Sequence, residues 1–236
     1  MSLIQHAADL FGVTITPEQA AQFDTLAREL EAWNRTRMNL TAITDPQGVQ
    51  VRHFLDSLSL AKAVDFSAGQ SVLDVGTGAG FPGLPLAMVF PQIHVTLMEA
   101  TAKKLLFIEH IIGLFGLKNA RTLHARAEEA GQSPEHRARY QVVTARAVAR
   151  LPVLLEYLLP LTKGGGICIA MKGATAAEEA ADSKKALTTL GGELRDILDV
   201  HLPGVEETHY LVVVAKVRKT PAAYPRQAGF PAKKPL

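Results

Sequence analysis

The chain has 236 residues, of which 47% are hydrophobic, and a formal net charge of +2 at pH 7. This composition supports a full-sized folded core and argues against a disordered protein. The single cysteine excludes an internal disulfide and is typical of a reducing cytosol. The opening residues, MSLIQH, lack the basic and apolar regions of a signal peptide, and no window approaches the ~20 apolar residues that span a bilayer. We therefore expect a cytoplasmic protein without a membrane partner.

Charge is distributed unevenly along the chain. Residues 1–50 hold six acidic and three basic side chains, whereas the stretch from Lys216 to the end holds six basic side chains and no acidic ones. That final stretch is also rich in proline and glycine. The asymmetry predicts an extended basic arm over 218–236 beside a neutral body, with a plain solvated tail as the alternative.

The first part of the chain, 1–66, has the pattern of a small helical region. Thr16 begins a capping box with proline at the first helical position, which predicts a helix over 17–34. Apolar residues recur there at helical spacing and include Trp33, which we expect in the core. A second helix is predicted from about 47 to 64.

Strand and helix patterns alternate over 67–217. This alternation predicts an α/β fold with a doubly wound, mostly parallel seven-stranded sheet. The last two strands are predicted to form a hairpin, and the final, continuously apolar strand is expected to be central and antiparallel. The predicted strands are 71–75, 93–98, 120–124, 141–144, 166–171, 193–201 and 208–217, and the predicted helices are 82–90, 102–116, 151–159 and 175–190.

The most informative stretch is VLDVGTGAGFPG at 72–83. Three glycines at every second position follow a strand and Asp74, and Pro82 suits the first position of a helix. Glycines allow a tight turn and a close approach of the backbone to a ligand. The helix behind them presents free N–H groups and its positive dipole end. The pattern is typical of a loop that wraps a nucleotide-like ligand.

Two nucleotide ligands compete for this loop. The stretch 78–83 matches the dinucleotide pattern G-x-G-x-x-G, but that fingerprint opens directly at the strand end and here Gly76 and Thr77 intervene. Read from Gly76, the pattern is Asp-x-Gly-x-Gly-x-Gly, which resembles motif I of S-adenosylmethionine enzymes. A tight glycine turn without any ligand is the third interpretation. Glu99, which ends the second predicted strand, can accept hydrogen bonds from both ribose hydroxyls and supports either cofactor.

Polar residues follow three further strands at the edge of the sheet where ligands bind. The stretch 126–129 could read an adenine amino group, or could simply start a helix. Arg146 could bind a cofactor carboxylate or substrate, or could be a salt-bridge partner. Lys172 adds a cation to the same rim.

Lys103 and Lys104 lie in the first turn of a predicted helix, where cations oppose the helix dipole. This placement indicates an anionic neighbour such as RNA phosphate, although two solvated lysines explain it equally well. The sequence contains neither a Ser/His/Asp or Cys/His catalytic set nor zinc-ligand spacing, so we predict no metal. Cys168 is expected to be an inert core thiol. His53 is the histidine to follow, with a half-buried helix histidine as the simpler interpretation.

Several strings in fixed order resemble one family over nearly the whole chain. They are NLTAIT at 39–44, HFLDSL at 53–58, the glycine run at 76–83, RAEE at 126–129, TARAVA at 144–149, MKG at 171–173, and the ending YPR at 224–226 with KKPL at 233–236. Together they are similar to the bacterial ribosomal RNA small subunit methyltransferase G family, also called the glucose-inhibited division protein B family.

The resemblance implies a class I, Rossmann-like methyltransferase that uses S-adenosylmethionine to methylate N7 of guanine 527 in the 530 loop of 16S ribosomal RNA. It implies the small ribosomal subunit as partner, no DNA, and we expect a monomer. The implied cofactor contacts are Gly76, Thr77, Gly78, Phe81, Glu99, Ala127, Glu128 and Arg146. The residues assigned to RNA phosphates are Lys103, Lys104, Lys172, Arg226, Lys233 and Lys234.

Two departures from the family pattern stand out. Gln141 occupies a position that is usually acidic, which puts a structural contact in doubt, and Ala100-Thr101 after Glu99 weaken a side-chain role there. The missing catalytic set fits the implied chemistry, because guanine N7 has a free lone pair and needs no general base. Arg146 is therefore assigned to binding, since a cation would not stabilise the positive charge that methylation places on the purine.

Three other functions remain open from the sequence. An NAD-type oxidoreductase would need a hydride-handling polar pair, which is not visible. A non-catalytic RNA-binding protein would not need the glycine loop and Glu99. A methyltransferase acting on another RNA, on a protein or on a small molecule is the third. No Asn/Asp-Pro-Pro-Tyr string, expected for exocyclic amino targets, follows the fourth strand, and its absence fits a ring-nitrogen target.

Overall fold

The computed structural model describes residues 2–236. Two helices begin the chain, α1 (Leu3–Phe11) and α2 (Pro17–Thr36). The capping box at the start of α2 is confirmed, because Thr16 Oγ1 accepts a hydrogen bond from Gln19 N at 3.2 Å and Gln19 Oε1 accepts one from Thr16 N at 2.9 Å. The short helix α1 is not among the predicted elements.

The second predicted helix is a run of four helical pieces with different hydrogen-bond patterns, called the composite helix below. Its pieces are α3 (Pro46–Gly48), a π-helix (Val49–Leu55), α4 (Asp56–Leu58) and a 3-10 helix (Ser59–Lys62). A π-helical turn holds one more residue than an α-turn and is often found at functional sites. Here it carries His53 into the interior.

Seven strands form one sheet in the order β3-β2-β1-β4-β5-β7-β6. Within the described chain, β7 runs antiparallel to both of its neighbours, β5 and β6, and all the other pairs are parallel, which confirms the mostly parallel sheet, the central last strand and the final hairpin. The strand order reverses between β1 and β4, the point where ligands bind in open sheets. The strands are β1 (Ser71–Val75), β2 (His94–Glu99), β3 (Ala120–His124), β4 (Tyr140–Arg146), β5 (Thr162–Lys172), β6 (Gly192–Val200) and β7 (His209–Lys216).

The four remaining predicted helices are present with two differences, and two short helices, over 127–132 and 230–233, are not among the predicted ones. The predicted helix over 175–190 is two helices separated at Ser183, whose hydroxyl donates to Glu179 O at 2.6 Å. Pro82 precedes its helix instead of opening it. None of the helices that the structure describes is long and apolar enough to cross a membrane. They are α5 (Gly83–Val89), α6 (Ala102–Phe115), α7 (Ala127–Gln132), α8 (Leu151–Leu158), α9 (Ala176–Asp182), α10 (Lys184–Leu190) and α11 (Phe230–Lys233).

Two apolar cores lie on opposite faces of the sheet. The N-terminal helices, the composite helix, α5 and α6 cover one face, and α7 to α10 cover the other. Trp33 is buried and packs edge-on against Phe107 with ring centroids 5.4 Å apart, which confirms its place in the core. Cys168 is buried on the other face, and burial raises the pKa of its thiol to about 12, as expected for an inert core thiol. The predicted division of the chain at residues 66 and 217 stays a prediction.

Gln141 makes a structural contact at the start of β4. Gln141 Oε1 accepts a hydrogen bond from Ser71 N at 2.9 Å, and Gln141 N donates to Ser71 Oγ at 3.1 Å. The Gln141 amide therefore joins the starts of β1 and β4.

The expectation of an extended C-terminal arm is wrong. The Arg137 guanidinium donates to the carbonyls of Tyr224 at 2.7 Å and Thr220 at 2.9 Å. Gln132 donates to Pro225 O at 2.8 Å. Two side chains of the body thus satisfy carbonyls of a proline-rich segment that cannot form its own ladder, and hold that segment against α7 and α8.

Candidate functional site

The glycine loop between β1 and α5 adopts backbone conformations that L side chains rarely take. Gly76, Gly78 and Gly80 have φ angles of +67°, +61° and +93°. A Cβ on Gly76 would lie 2.8 Å from the Val148 side chain, and one on Gly80 would meet Leu84. At Gly78 only the Gly76 carbonyl oxygen lies as near as 4.0 Å to an added Cβ. The loop is therefore packed at its two ends and open in the middle, as a cradle for a ligand requires.

Asp74 lies buried beneath this loop. Its Oδ2 accepts hydrogen bonds from Thr77 Oγ1 at 2.5 Å and from Gly83 N at 2.8 Å, which tie β1 to α5. Burial raises the pKa of the Asp74 carboxyl to about 6 against these two donors. Its Oδ1 is buried and finds no hydrogen-bond partner among residues 2–236. The Thr77 side chain is thus turned inward, and Asp74 keeps one unused acceptor.

Glu99 reaches the open part of the loop, as its position at the end of β2 predicted. Its Oε2 accepts from Gly78 N at 3.1 Å and its Oε1 from Thr101 N at 2.9 Å. The Lys104 ammonium lies 3.9 Å from Oε2. Each carboxylate oxygen has a second lone pair, so Glu99 can accept further hydrogen bonds from a diol.

The start of α7 holds the C-terminal segment as well as the predicted cofactor residues. Ala127 opens the helix, and the buried Glu128 accepts a hydrogen bond from Gly229 N at 2.9 Å. Glu129 Oε2 accepts from Arg126 N at 3.3 Å, a capping contact. Nothing in the sequence indicated that Glu128 reaches a residue 101 positions away. Its contact with a cofactor stays a prediction.

Arg146, at the end of β4, is bound to the composite helix. Its guanidinium donates to Asp56 Oδ2 at 2.8 Å and to Arg52 O at 2.9 Å. Asp56 is buried and also accepts from His209 Nδ1 at 2.9 Å. Although burial alone would raise it, the hydrogen bond from His209 and the Arg146 charge hold the pKa of Asp56 below its usual value. Arg146 thus forms a salt bridge with Asp56, the alternative role that the sequence left open for it.

His53 joins this network to the glycine loop. Its ring stacks on Phe81 with centroids 4.6 Å apart and 8° between the planes. Nδ1 lies 3.2 Å from Arg146 Nη2 and Nε2 lies 2.8 Å from Thr41 Oγ1. Because an arginine can only donate, Nδ1 is the acceptor and Nε2–H donates to Thr41. Burial, together with the Arg146 charge, lowers the pKa of His53 to about 4, so the ring is neutral at pH 7.

Phe81 contributes to the site through packing. Its side chain is buried under His53 and lies beside Phe54, with ring centroids 5.9 Å apart. The Arg146 guanidinium lies 5.6 Å from the centre of the ring. The predicted contact of Phe81 with a cofactor stays a prediction, and in this structure its ring supports His53 and Arg146.

A cleft of about 440 Å³ opens beside Arg146 at the carboxyl ends of β4 and β5. The next residues of the β4 loop turn towards the glycine loop, because Ala147 has a φ of +56° and Val148 lies over Gly76. The volume falls within the range of small-molecule sites. The site therefore has two compartments, a cradle at β1 and β2 and a cleft at β4 and β5. The polar residues lining the cleft include Arg52, His53, Asp56, Arg146, Lys172, Glu179 and His209.

Two of the predicted RNA cations are engaged by buried acids. Lys172 lies 2.7 Å from Glu179 and donates to Ala149 O at 2.9 Å. Arg226 binds the fully buried Glu156 through Nε at 2.9 Å and Nη2 at 2.5 Å, and these hydrogen bonds raise the pKa of the guanidinium.

The other predicted cations are more open to solvent. Lys104 is the partly exposed neighbour of Glu99 described above, and Lys103, Lys233 and Lys234 are exposed. The six cations therefore differ in their freedom to bind phosphate.

Asp56 and His209 are the site residues that the sequence did not single out. Asp56 follows His53 by three residues, so a helix places both on one side. His209 opens β7, and an antiparallel strand begins at the edge where the parallel strands end. Both signals were present in the sequence, but neither indicates that the two side chains meet.

Comparison with known proteins identifies the family. The model of the GidB family, rRNA small subunit methyltransferase G, matches residues 19–209. The chain belongs to this family. A family member from Roseiflexus sp. (strain RS-1) is 47% identical over 236 residues, which is 100% of each chain. Another, from Acetivibrio thermocellus, is 45% identical over 234 residues, covering 99% of this chain and 96% of the relative.

Solved structures confirm the class I methyltransferase fold. A SAM-dependent methyltransferase from Aquifex aeolicus has a TM-score of 0.54 at 19% identity and covers 72% of this chain and 93% of that one. A variant of the 16S rRNA (adenine(1408)-N(1))-methyltransferase from Catenulisporales acidiphilia has a TM-score of 0.54 at 16% identity, with coverages of 66% and 88%. Membership of the methyltransferase G family confirms the resemblance, the enzyme class and S-adenosylmethionine as the cofactor.

Proposed function

We propose that this chain transfers a methyl group from S-adenosylmethionine to N7 of guanine 527 of 16S ribosomal RNA in the small ribosomal subunit. One observation carries the proposal: in a chain of the methyltransferase G family, the Glu99 cradle and the Arg146 cleft are neighbouring compartments. Arg146, which ends β4, lines the cleft, and Val148, two residues later, lies over Gly76 of the cradle. A donor and an acceptor placed in the two compartments would meet at this stretch of the chain.

The residues of the cradle fit S-adenosylmethionine. Gly78 leaves its outer side open, and Glu99 retains acceptor capacity for the two ribose hydroxyls. Ala127 and Glu128 at the start of α7 would lie on the adenine side. When bound, the cofactor supplies an electrophilic methyl group on a sulfonium.

The chain's residues then have to align the target atom, since N7 carries a lone pair and no proton. His53 is not required as a base, and its neutral ring instead orients Arg146 and Thr41. Asp56 offsets the Arg146 charge from 2.8 Å, which reduces the repulsion that a cation would exert on the methylated purine. Positioning of reactants can supply roughly 7–11 kcal/mol of the barrier reduction.

We propose that the exposed lysines, Lys103, Lys233 and Lys234, contact RNA phosphates directly. Lys104, Lys172 and Arg226 would have to exchange an acidic partner for a phosphate. An unstacked loop base suits a cleft of this size better than a base held in a duplex. We also propose that the protein is cytoplasmic and that it is a monomer. Light scattering of the purified protein tests the oligomeric state.

Mapping of the modified nucleotide tests the target. Small subunits that lack the native mark would be incubated with the protein and S-adenosylmethionine, and their RNA treated with borohydride and aniline, which cleaves at 7-methylguanosine. We expect cleavage at position 527, and none in matched subunits that carry adenine there. Cleavage at another guanine would contradict the proposed position. Methyl transfer to the RNA without cleavage would contradict the proposed N7 atom.

A further inference from the structure

We propose that His209 is a specificity residue that donates a hydrogen bond from Nε2 to O6 of the target guanine. This inference rests on the proposed function, because it concerns the base that enters the cleft beside Arg146. His209 opens β7 and lines this cleft with 31% of its side chain exposed.

The orientation of the His209 ring is set by Asp56. Its Nδ1 lies 2.9 Å from Asp56 Oδ1, and a carboxylate that already accepts from Arg146 can only be an acceptor here. Nδ1 therefore carries a proton and donates it. Nε2 lies on the other side of the ring, and no hydrogen bond to it is formed by any residue between 2 and 236. The free nitrogen of an anchored imidazole is thus available to a ligand.

Asp56 favours the imidazolium form of this ring. The hydrogen bond to Asp56 raises the pKa of His209, against burial and the charges of Arg146 and Arg52. Arg52 is itself 3.9 Å from Glu207 at the outer rim. The remaining charged or titratable groups of the cleft wall are His53, which is neutral, the Lys172–Glu179 pair and Tyr210. An imidazolium donates from both nitrogens and accepts from neither.

A donor at this place distinguishes the two purines. The N7 edge of guanine presents two acceptors, N7 and O6, whereas adenine presents N7 together with an amino donor. N7 must stay free for the methyl group, so O6 is the atom left for recognition. A donating Nε2 can form a hydrogen bond with O6 of guanine. Opposite adenine the same Nε2–H would face the N6 amino group, which is also a donor, and no hydrogen bond would form.

Other cations of the cleft are less suited to this contact. Arg146 already donates to Asp56, to the Arg52 carbonyl and towards His53. Lys172 already donates to Ala149 O and is paired with Glu179. Arg52 lies at the rim with 47% of its side chain exposed. His209 is partly buried, and its contact with Asp56 fixes the position of its ring. Its second nitrogen forms no hydrogen bond with the described residues.

Two substitutions test the roles of the two nitrogens of His209 separately. His209→Asn keeps an amide donor near the Nδ1 position, and so the contact with Asp56, but has nothing at the Nε2 position. His209→Gln places an amide donor near the Nε2 position. Both variants would first be checked for an unchanged dissociation constant of S-adenosylmethionine and for a cooperative thermal unfolding transition.

The test measures kcat/KM for methyl transfer to small subunits that lack the native mark and carry guanine or adenine at the target position. We expect His209→Asn to lose roughly 10- to 100-fold on guanine, as for one charge-assisted hydrogen bond, and to lose the same factor in guanine-over-adenine preference. His209→Gln should retain most of both. The wild-type kcat/KM should fall as the pH rises through the raised His209 pKa, and that fall should be absent in His209→Gln.

Equal losses in the two variants, an unchanged guanine-over-adenine ratio in His209→Asn, or a pH profile shared by the wild type and His209→Gln would each overturn the role of His209. A wild-type protein that methylates neither substrate would overturn the proposed function and this inference together. If His209→Asn fails to fold, the comparison of the wild type with His209→Gln over pH decides the question.

Discussion

Arg146 Nη1 lies 2.8 Å from Asp56 Oδ2, although the two residues are 90 positions apart. This ion pair joins the end of β4 to the composite helix at the point where the cleft meets the glycine loop. Through His53, stacked on Phe81, and His209, bonded to Asp56, it connects both walls of the cleft. The pair therefore couples the stability of the fold to the geometry of the site.

The substitution Gly78→Asp should weaken cofactor binding. Gly78 has a φ of +61° and lies against Glu99, so an aspartate there would strain the backbone, fill the open side of the loop and repel the carboxylate. We expect the dissociation constant of S-adenosylmethionine, measured by calorimetry, to rise at least about tenfold.

Gly116→Asp is the matched control for this substitution. Gly116 also has a φ of +61° and open space around its Cβ position, but it ends α6 away from the glycine loop. It should show a similar loss of stability and no loss of cofactor affinity. Equal cofactor affinities in the two variants would contradict the assignment of the glycine loop.

Asp56→Asn should destabilise the fold strongly. Removing one partner of a buried pair leaves the Arg146 charge uncompensated, and such losses are about 3–5 kcal/mol. The control is Asp182→Asn, because Asp182 pairs with Arg150 at 3.2 Å on the surface, where a pair contributes about 0–1 kcal/mol. Urea unfolding of both variants measures the difference, and similar losses would show that Asp56 is not the buried half of a structural pair.

Acid should destabilise the protein through His53. Because the folded pKa of about 4 lies below the unfolded value of 6.5, the unfolded chain takes up the proton first, and stability is lost as the pH falls from 6.5 to 4. The contribution reaches about 3 kcal/mol at pH 4. His53→Asn should lack this part of the pH dependence in urea unfolding between pH 7 and pH 4.

The comparison must be made between variant and wild type at each pH. Asp74 acts in the opposite direction, since its raised pKa of about 6 makes the folded state less stable as the pH rises from 3.8 to 6. This contribution is common to both proteins and cancels in their difference. A difference that does not change between pH 7 and pH 4 would contradict a buried neutral His53.

Two cations of the C-terminal segment should behave differently when removed. Arg226→Ala leaves Glu156 buried and unpaired and should cost about 3–5 kcal/mol in the free energy of unfolding. Lys233→Ala should leave stability unchanged and reduce the salt dependence of RNA binding, with a slope change of about 0.7–0.9. Filter binding over a salt series tests the second claim. An unchanged slope would remove Lys233 from the RNA interface.

The strands were predictable because each is a short apolar run closed by turn residues, and β7 even revealed its central position by being apolar on both faces. The π-helix was not, since its i to i+5 pattern departs from the 3.6-residue period on which helix prediction rests. Likewise, the docking of the final segment depends on Arg137 and Gln132, which lie far from it in sequence. Local pattern carries no information about such partners.

The residues of the candidate site likewise include some whose proximity was predictable from the sequence and some whose proximity was not. Gly78 and Glu99 were predictable together, because consecutive parallel strands end at one edge and a glycine run marks the loop between them. The Asp56–Arg146–His53 network was not, because charged residues on a helix and at a strand end have many possible partners. Only the folded chain shows that this helix packs over the end of β4.

The most direct measurement is transfer of labelled methyl from S-adenosylmethionine to small ribosomal subunits that lack the native mark. Free 16S RNA and transfer RNA would be run in parallel, and the products digested to nucleosides. We expect label in 7-methylguanosine from the ribosomal substrate and none from transfer RNA. Absence of label despite measurable cofactor binding would contradict ribosomal RNA as the substrate, and label in another nucleoside would contradict guanine N7.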